Sequence, residues 1–170
     1  MPLDLTFFPQ WKFVHVDYVG QATVGDIVRG YSDMMAHPEA GQLRFAINDM
    51  RGLEGLNVFY DGMMHMATTV SSDAAQRPEP LALAIVAHQR NMMPILTDYC
   101  ARVARAGTAR CGLFSDIPAA VDWLGLSHAV LDLRRPGGRR IADPLSSQSS
   151  TLKALREPPD PADGGHRQRS

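Results

Sequence analysis

Several polar residues stand where strands are predicted to end, and their types could do chemistry. Serine, histidine and aspartate make up a hydrolytic triad when a nucleophile, a base and an orienting carboxylate touch one another. Helix amino ends next to the same positions would favour a bound anion or carboxylate. The strand-end candidates are Asp49, Arg51, His88, Arg90, Ser115 and Asp116.

Two interpretations compete for these residues. In the hydrolase interpretation, Ser115 is the nucleophile, His88 the base and Asp49 the orienting group. The sequence has no Gly-x-Ser-x-Gly motif, and a triad is defined by geometry, so hydrolase is the remote alternative. In the structural interpretation, Asp49 and Asp116 cap turns and helices while the arginines pair with carboxylates. We assign no catalytic residue and expect a protein that is not an enzyme.

No metal or cofactor site is predicted. Asp61 and His65 lie four positions apart on a predicted helix, but two ligands without a third are a weak signal for a metal. The two cysteines, Cys100 and Cys111, form neither a C-x-x-C pair nor a zinc pattern. We expect both to be small buried apolar groups in a reducing compartment.

Methionines are concentrated on three predicted helices. Methionine adapts to varied shapes, so such a set can line a groove for an apolar ligand or a partner helix. Ordinary core packing is the alternative. Because adjacent methionines are not expected to face inward together, some of Met35, Met64 and Met93 should lie at the edge of the core or on the surface. These three are therefore further binding candidates.

The elements that position these residues follow from hydrophobic periodicity and from breaker residues. Two strands come first, then a helix with capping-box spacing at Thr23 and Asp26 that ends before Pro38. Strands and helices then alternate. The predicted strands are 3–8, 12–18, 43–48, 81–87 and 111–114, and the later helices are 56–71, 91–105 and one capped by Asp116.

The segment 81–87 is apolar throughout, which is typical of a strand buried on both faces of a parallel sheet. The short link between the first two strands favours an antiparallel pair. We therefore predict an α/β fold with a mixed, mostly parallel five-stranded sheet, about four helices and the order β-β-α-β-α-β-α-β-α. The residues 49–55 are expected to form a glycine-bearing loop, and a ligand is expected beyond the carboxyl ends of the parallel strands.

Charge divides the chain into two parts. Of 170 residues, 17 are Lys or Arg and 18 are Asp or Glu, but residues 1–133 carry five net negative charges and residues 134–170 four net positive ones. We predict one domain over 1–133 and a basic tail rich in Pro, Gly and Ser over 134–170, mostly disordered. An acidic domain is a poor nucleic-acid binder, although the tail allows weak contact with an anionic surface.

Three segments resemble the SpoIIAA-like (STAS, or anti-sigma-factor antagonist) family, over about residues 3–126. One is the helix entry at Thr23, another is the strand and turn at 46–53, and the third is the strand and helix at 111–124. The resemblance implies a non-catalytic module that binds a protein partner, which includes a second copy in a homodimer. Family members carry a phosphorylatable serine after an aspartate at the start of the second helix. Here Met50 follows Asp49, so we assign no phosphosite.

The expected function is therefore a regulatory or protein-interaction module of a bacterial cytosol. Since related folds carry lipids, a binder of a lipid or other small apolar ligand is the alternative. The chain has no run of about 20 apolar residues that would span a bilayer and no secretory pattern at its start. We therefore expect a cytoplasmic location.

Overall fold

Five strands and four helices alternate along the chain after an initial pair of strands. The structure, a computed structural model, describes residues 3–135 and 138–143. Short 3-10 helices lie at Pro9–Trp11, Pro38–Gln42 and His128–Asp132. The strands are β1 (Leu3–Phe8), β2 (Phe13–Thr23), β3 (Phe45–Asn57), β4 (Leu81–Val86) and β5 (Ala109–Phe114), and the helices are α1 (Val24–Ala36), α2 (Tyr60–Ala75), α3 (Met93–Ala106) and α4 (Ile117–Leu124).

The sheet order is the same as the chain order, β1-β2-β3-β4-β5. β1 pairs with β2 antiparallel, and every later pair is parallel. All six residues of β4 are buried between two parallel neighbours. The predicted α/β fold with its mixed, mostly parallel sheet and SpoIIAA-like element order is therefore confirmed, including the strand at 81–87.

Helices cover the two faces of the sheet unequally. The three parallel crossovers have the same handedness, and each places the next strand further toward the same edge of the sheet, so their helices lie on the same face. On that face, α1, α2 and α3 share one apolar cluster with Val14, Val16 and Tyr18 of β2. The opposite face packs on α4, Val130 and Ile141. Because the strand order never reverses, the sheet lacks the crevice that forms at a reversal point in other open α/β sheets.

Helix ends are determined by the residues that the sequence identified. Thr23 accepts a hydrogen bond from the amide of Asp26 at 3.2 Å, and Asp26 accepts from the amide of Thr23 at 2.9 Å, which completes the predicted capping box. Asp116 caps α4 through the amide of Ala119. Gly107 ends α3 with a φ of 75°, a left-handed conformation that glycine adopts without strain.

The largest error of the sequence analysis concerns 49–55, which is strand and not loop. β2 and β3 continue together beyond Asp49 through two irregularities in register, and the pairing ends at Thr23 and Asn57. A Cβ at Gly55 would overlap only the far end of the exposed and flexible Gln21 side chain, which can move aside, so packing does not require glycine at this position. As β3 is longer than expected, α2 begins only at Tyr60.

Two apolar side chains in or next to the helices, Phe59 and Val28, are exposed. Phe59 precedes α2 and is 80% exposed, and Val28 on α1 is 45% exposed. The late start of α2 takes Phe59 out of the helical register, while Val28 lies at the margin of the buried face of α1, whose buried residues are Ile27, Gly30 and Met34.

Part of the predicted tail lies on the domain. Residues 134–135 and 138–143 form a bridged turn, in which Arg134 pairs with Arg140 in antiparallel fashion. Arg135 and Ile141 are buried, the latter completely. The remaining residues of the predicted tail, 136–137 and 144–170, lie outside the described part of the chain. No helix among the described residues is long and apolar enough to cross a membrane.

Candidate functional site

The strand-end residues named by the sequence do not form one group. Asp49 is fully buried inside β3, whereas His88 and Arg90 follow β4 and are exposed. The side chains of His88 and Arg90 make no hydrogen bond or ion pair with any other described residue. Ser115 bonds with Asp116 at 3.2 Å. No hydrogen bond among the described residues joins these side chains into a triad.

Asp49 and Arg51 form a tight pair on the α4 face of the sheet. Arg51 donates from Nε to Asp49 Oδ1 at 2.8 Å and from Nη2 to Oδ2 at 2.7 Å. Burial alone would raise the pKa of Asp49, but the hydrogen bonds and charge of Arg51, together with the nearby imidazole of His15, hold that pKa well below its ordinary value. The hydrogen bonds to Asp49 in turn raise the pKa of Arg51. This arginine therefore pairs with a carboxylate, as the structural interpretation predicted.

A second buried pair extends this polar region. Asp17 lies beside Asp49 on the neighbouring strand and receives a hydrogen bond from Arg135. Burial raises the pKa of Asp17, and the positive charge of Arg135 offsets this only in part. His15 is also fully buried, with its Nε2 3.5 Å from Asp49 Oδ2, and neither ring nitrogen makes a hydrogen bond. Asp49 pairs with Arg51 and Asp17 pairs with Arg135, so the charges cancel within each pair. We therefore interpret this polar region as structural.

An apolar cavity of about 40 Å³ lies on the other face, between the sheet and the helices α1, α2 and α3. Its walls come from all three helices and from β2, β3 and β4. The lining includes four methionines and three tyrosines, with no charged side chain. The residues that matter for its chemistry are Tyr18, Tyr31, Asn48, Tyr99, Met34, Met50, Met63 and Met66.

The tyrosines of the cavity differ in their hydrogen bonding. Tyr31 donates to Asp73 Oδ2 on α2 at 2.8 Å. The hydroxyls of Tyr18 and Tyr99 bond with no other described residue, although these side chains are only 4% and 5% exposed. Burial raises the pKa of both phenols, so they are neutral hydrogen-bond donors at ordinary pH. Both hydroxyl oxygens keep some accessible surface, so a water molecule or a ligand group can reach them.

The methionine candidates from the sequence lie around this cavity but do not line it. Met35 is half-buried with its sulfur 3.2 Å from Arg77 Nη2, and Met93 is half-buried at the start of α3. Met64 is buried, as is its neighbour Met63. The expectation that adjacent methionines do not face inward together is therefore wrong for α2. This helix contacts both α1 and α3 as well as the sheet, which covers a wide arc of its surface.

Sequence reasoning missed the polar groups of the cavity. Tyr18, Tyr31 and Tyr99 lie in register with apolar residues of their strand or helix, and a hydroxyl at such a position was the available signal. The polar pairs on the opposite face had a similar signal, because His15 and Asp17 alternate with the apolar residues of β2. Among residues 3–135 and 138–143, no three His, Cys, Asp or Glu side chains are grouped to hold a metal ion.

Comparison with known proteins gives one likeness of fold. No protein-family profile and no curated protein matches the chain. The structure is similar to that of an uncharacterised protein from the DUF3478 family of Shewanella loihica PV-4, which has a SpoIIAA-like fold. The two are 19% identical with a TM-score of 0.40, over 72% of this chain and 91% of the other. A likeness of this degree carries nothing about function.

Proposed function

We propose that the protein is a non-catalytic binding module that holds a small, mainly apolar molecule in the cavity beneath α1, α2 and α3. The observation that carries this proposal is the pair of tyrosines, Tyr18 and Tyr99, which line an apolar cavity and whose hydroxyls bond with no other described residue. A ligand group that accepts hydrogen bonds would satisfy them.

The lining limits the chemistry of the ligand. Both phenols are neutral donors, so the matching ligand atom is an acceptor such as a carbonyl or hydroxyl oxygen. Since no charged side chain lines the cavity, a carboxylate would be buried without a counter-charge, at a large cost in free energy. The favoured ligand is therefore neutral, with an apolar body and one oxygen.

The cavity is small, so side chains must move before it can hold a ligand larger than water. A volume of about 40 Å³ exceeds the roughly 10–15 Å³ that one water needs, but it is smaller than the roughly 150 Å³ that admits benzene. Met34, Met63 and Met66 are unbranched and can change rotamer, so they can enlarge the space when a ligand enters. Binding accordingly involves rearrangement of these methionines.

The non-catalytic part of the proposal is supported by the state of the polar residues. Asp49, the orienting carboxylate of the hydrolase interpretation, is already occupied by Arg51. Ser115 bonds with the helix cap Asp116, and His88 is exposed. Asp49, Ser115 and His88 are therefore not hydrogen-bonded to one another, as the hydrolase interpretation would require.

Thermal unfolding with matched probes tests the binding proposal. We expect 1-octanol to raise the unfolding temperature more than octanoate, because only the alcohol is neutral. A ligand at about 100 times its dissociation constant stabilises a protein by about 2.7 kcal/mol. The double variant Tyr18→Phe/Tyr99→Phe should lose most of the effect, whereas Tyr60→Phe, which changes an exposed tyrosine outside the cavity, should keep it. Equal shifts with both probes, or no shift and no co-purified molecule by mass spectrometry, would contradict the proposal.

A second candidate function, protein interaction, is favoured by an exposed aromatic pair. Phe59 and Tyr60 are 80% and 53% exposed at the start of α2. Val24 at the start of α1 lies against Gly62, so the first turns of both helices meet there, one turn from the exposed Val28. For a homodimer through this patch, sedimentation should show a dimer that Phe59→Ser/Tyr60→Ser converts to a monomer. A wild-type monomer at high concentration would exclude self-association.

A further inference from the structure

The two cysteines of the chain meet between α3 and β5. Cys100 lies on α3 and Cys111 on β5, eleven positions later, and their sulfur atoms are 3.1 Å apart. Cys111 donates its S–H to the sulfur of Cys100. Since the chain has just these two cysteines, any intrachain disulfide must join them.

The packing of α3 on the sheet holds this arrangement in place. Leu96, Tyr99 and Val103 are buried on the same face of α3 as Cys100. Cys111 is paired in register with Leu83 of β4, which is interior to the sheet. β5 is an edge strand that is held by its pairing with β4 and by its contact with α3, and the side chains of the two cysteines already lie against each other. A disulfide bond is about 2.05 Å long, so the sulfurs must approach by about 1 Å.

We propose that Cys100 and Cys111 are a reversible redox pair that forms an intrachain disulfide with a low-molecular-weight disulfide as the oxidant. The two thiols are oxidised to one disulfide, and the reagent R–S–S–R is reduced to two thiols R–SH. This inference stands on the position of the two sulfurs and is independent of what the cavity binds.

The exchange follows from the hydrogen bond between the two groups. Donation from Cys111 lowers the pKa of Cys100, while the same bond and burial raise the pKa of Cys111. The Cys100 thiolate attacks one sulfur of R–S–S–R and releases R–S⁻, which takes the proton of Cys111. The sulfur of Cys111 then attacks the Cys100 sulfur of the mixed disulfide. This expels a second R–S⁻, which takes up the proton originally lost by Cys100.

The equilibrium of this exchange gives the test. Full-length protein is equilibrated with bis(2-hydroxyethyl) disulfide and 2-mercaptoethanol at several ratios, acid-quenched and weighed by intact mass spectrometry. We expect a species lighter by two hydrogen atoms, without adduct. Because the fold holds the sulfurs together, its equilibrium constant should be at least about tenfold larger than that of the same chain in urea. An equal or smaller constant would overturn the proposal.

Two single variants check the assignment. Cys100→Ser and Cys111→Ser should each give no species lighter by two hydrogens. If the wild-type chain instead accumulates disulfide-linked dimers or stable mixed disulfides at both cysteines, the intrachain pair is refuted. The wild-type comparison with the urea-unfolded chain decides the question even if a variant fails to fold.

Discussion

Arg135 lies 118 positions beyond Asp17 in the chain, and the two side chains form an ion pair on the α4 face of the sheet. The side chain of Arg135 is 5% exposed and that of Asp17 is 12% exposed. Arg135 also donates to the carbonyl of Arg140 at 3.2 Å, within the turn that follows α4 and its 3-10 helix. This pair therefore attaches the last described segment to the second strand.

Loss of Arg135 should destabilise the fold strongly. Removing one partner of a buried ion pair leaves an uncompensated charge, with a typical cost of about 3–5 kcal/mol. We expect Arg135→Ala to lower the free energy of unfolding in urea by about 3 kcal/mol. Arg134→Ala is the matched control, because Arg134 is exposed and, within the described part of the chain, its side chain bonds to the carbonyl of Gly138 in its own turn. A loss no larger for Arg135→Ala than for the control would show that the ion pair contributes little.

The Asp49 carboxylate should contribute to the loss of stability in acid. Its pKa in the fold is below the ordinary value of 3.8, because Arg51 and His15 together outweigh burial. The stabilisation is therefore fully present above about pH 4 and is lost as the pH falls through the lowered pKa. Asp17 acts in the opposite direction, because its raised pKa favours protonation in the fold.

Urea unfolding between pH 7 and pH 3 measures this contribution. Asp49→Asn should be less stable than wild type at pH 7, because Arg51 loses its bidentate partner. Its stability should then fall less steeply below pH 4. Parallel acid profiles for the variant and the wild type would show that Asp49 does not carry this pH dependence.

Two tyrosines of the cavity should respond oppositely to loss of their hydroxyl. Tyr31→Phe removes a 2.8 Å hydrogen bond to Asp73 and should cost about 1.5 kcal/mol. Tyr18→Phe removes a buried hydroxyl that has no partner among the described residues, so it should be neutral or stabilise by up to about 1 kcal/mol. Thermal unfolding of the ligand-free protein compares them. A larger loss for Tyr18→Phe would mean that its hydroxyl is already satisfied.

Gln89 should hold the extended part of β3 in place. Its Nε2 lies 3.1 Å, 3.3 Å and 2.7 Å from the carbonyl oxygens of Met50, Arg51 and Leu53, respectively. Gln89→Ala should cost about 1–2 kcal/mol and should speed amide exchange mainly in the second half of β3. His88→Ala is the control, because that exposed side chain makes no described contact. If amide exchange in β3 is unchanged in Gln89→Ala, contacts other than Gln89 hold this part of the strand in place.

The sequence predicted those elements whose environment leaves a local pattern. β4 is buried on both faces, and its unbroken apolar run was sufficient to identify it. The alternation of β2 correctly separated Val14 and Val16 from His15 and Asp17. The extension of β3 was missed because its glycines have the composition of a turn.

The contacts that define the candidate sites were less predictable because they join distant parts of the chain. Asp49 and Arg51 are two positions apart, and the structural interpretation predicted that the arginine pairs with a carboxylate without naming which one. The contact of Cys100 with Cys111 depends on how α3 packs on β5, and the pairing of Arg135 with Asp17 depends on the path after α4. The cavity likewise needs three helices at fixed distances from the sheet. No spacing in the sequence encodes these distances.

The agreement between strand order and chain order has a consequence for biosynthesis. Each strand hydrogen-bonds to the one made just before it, so the sheet can be extended at a single edge as the ribosome delivers the chain. No early strand has to wait for a late one to be inserted beside it. The return of Arg135 to Asp17 is different, because it can happen only when translation of this domain is nearly complete. We therefore expect nascent chains that stop short of this arginine to have a formed but more easily opened sheet.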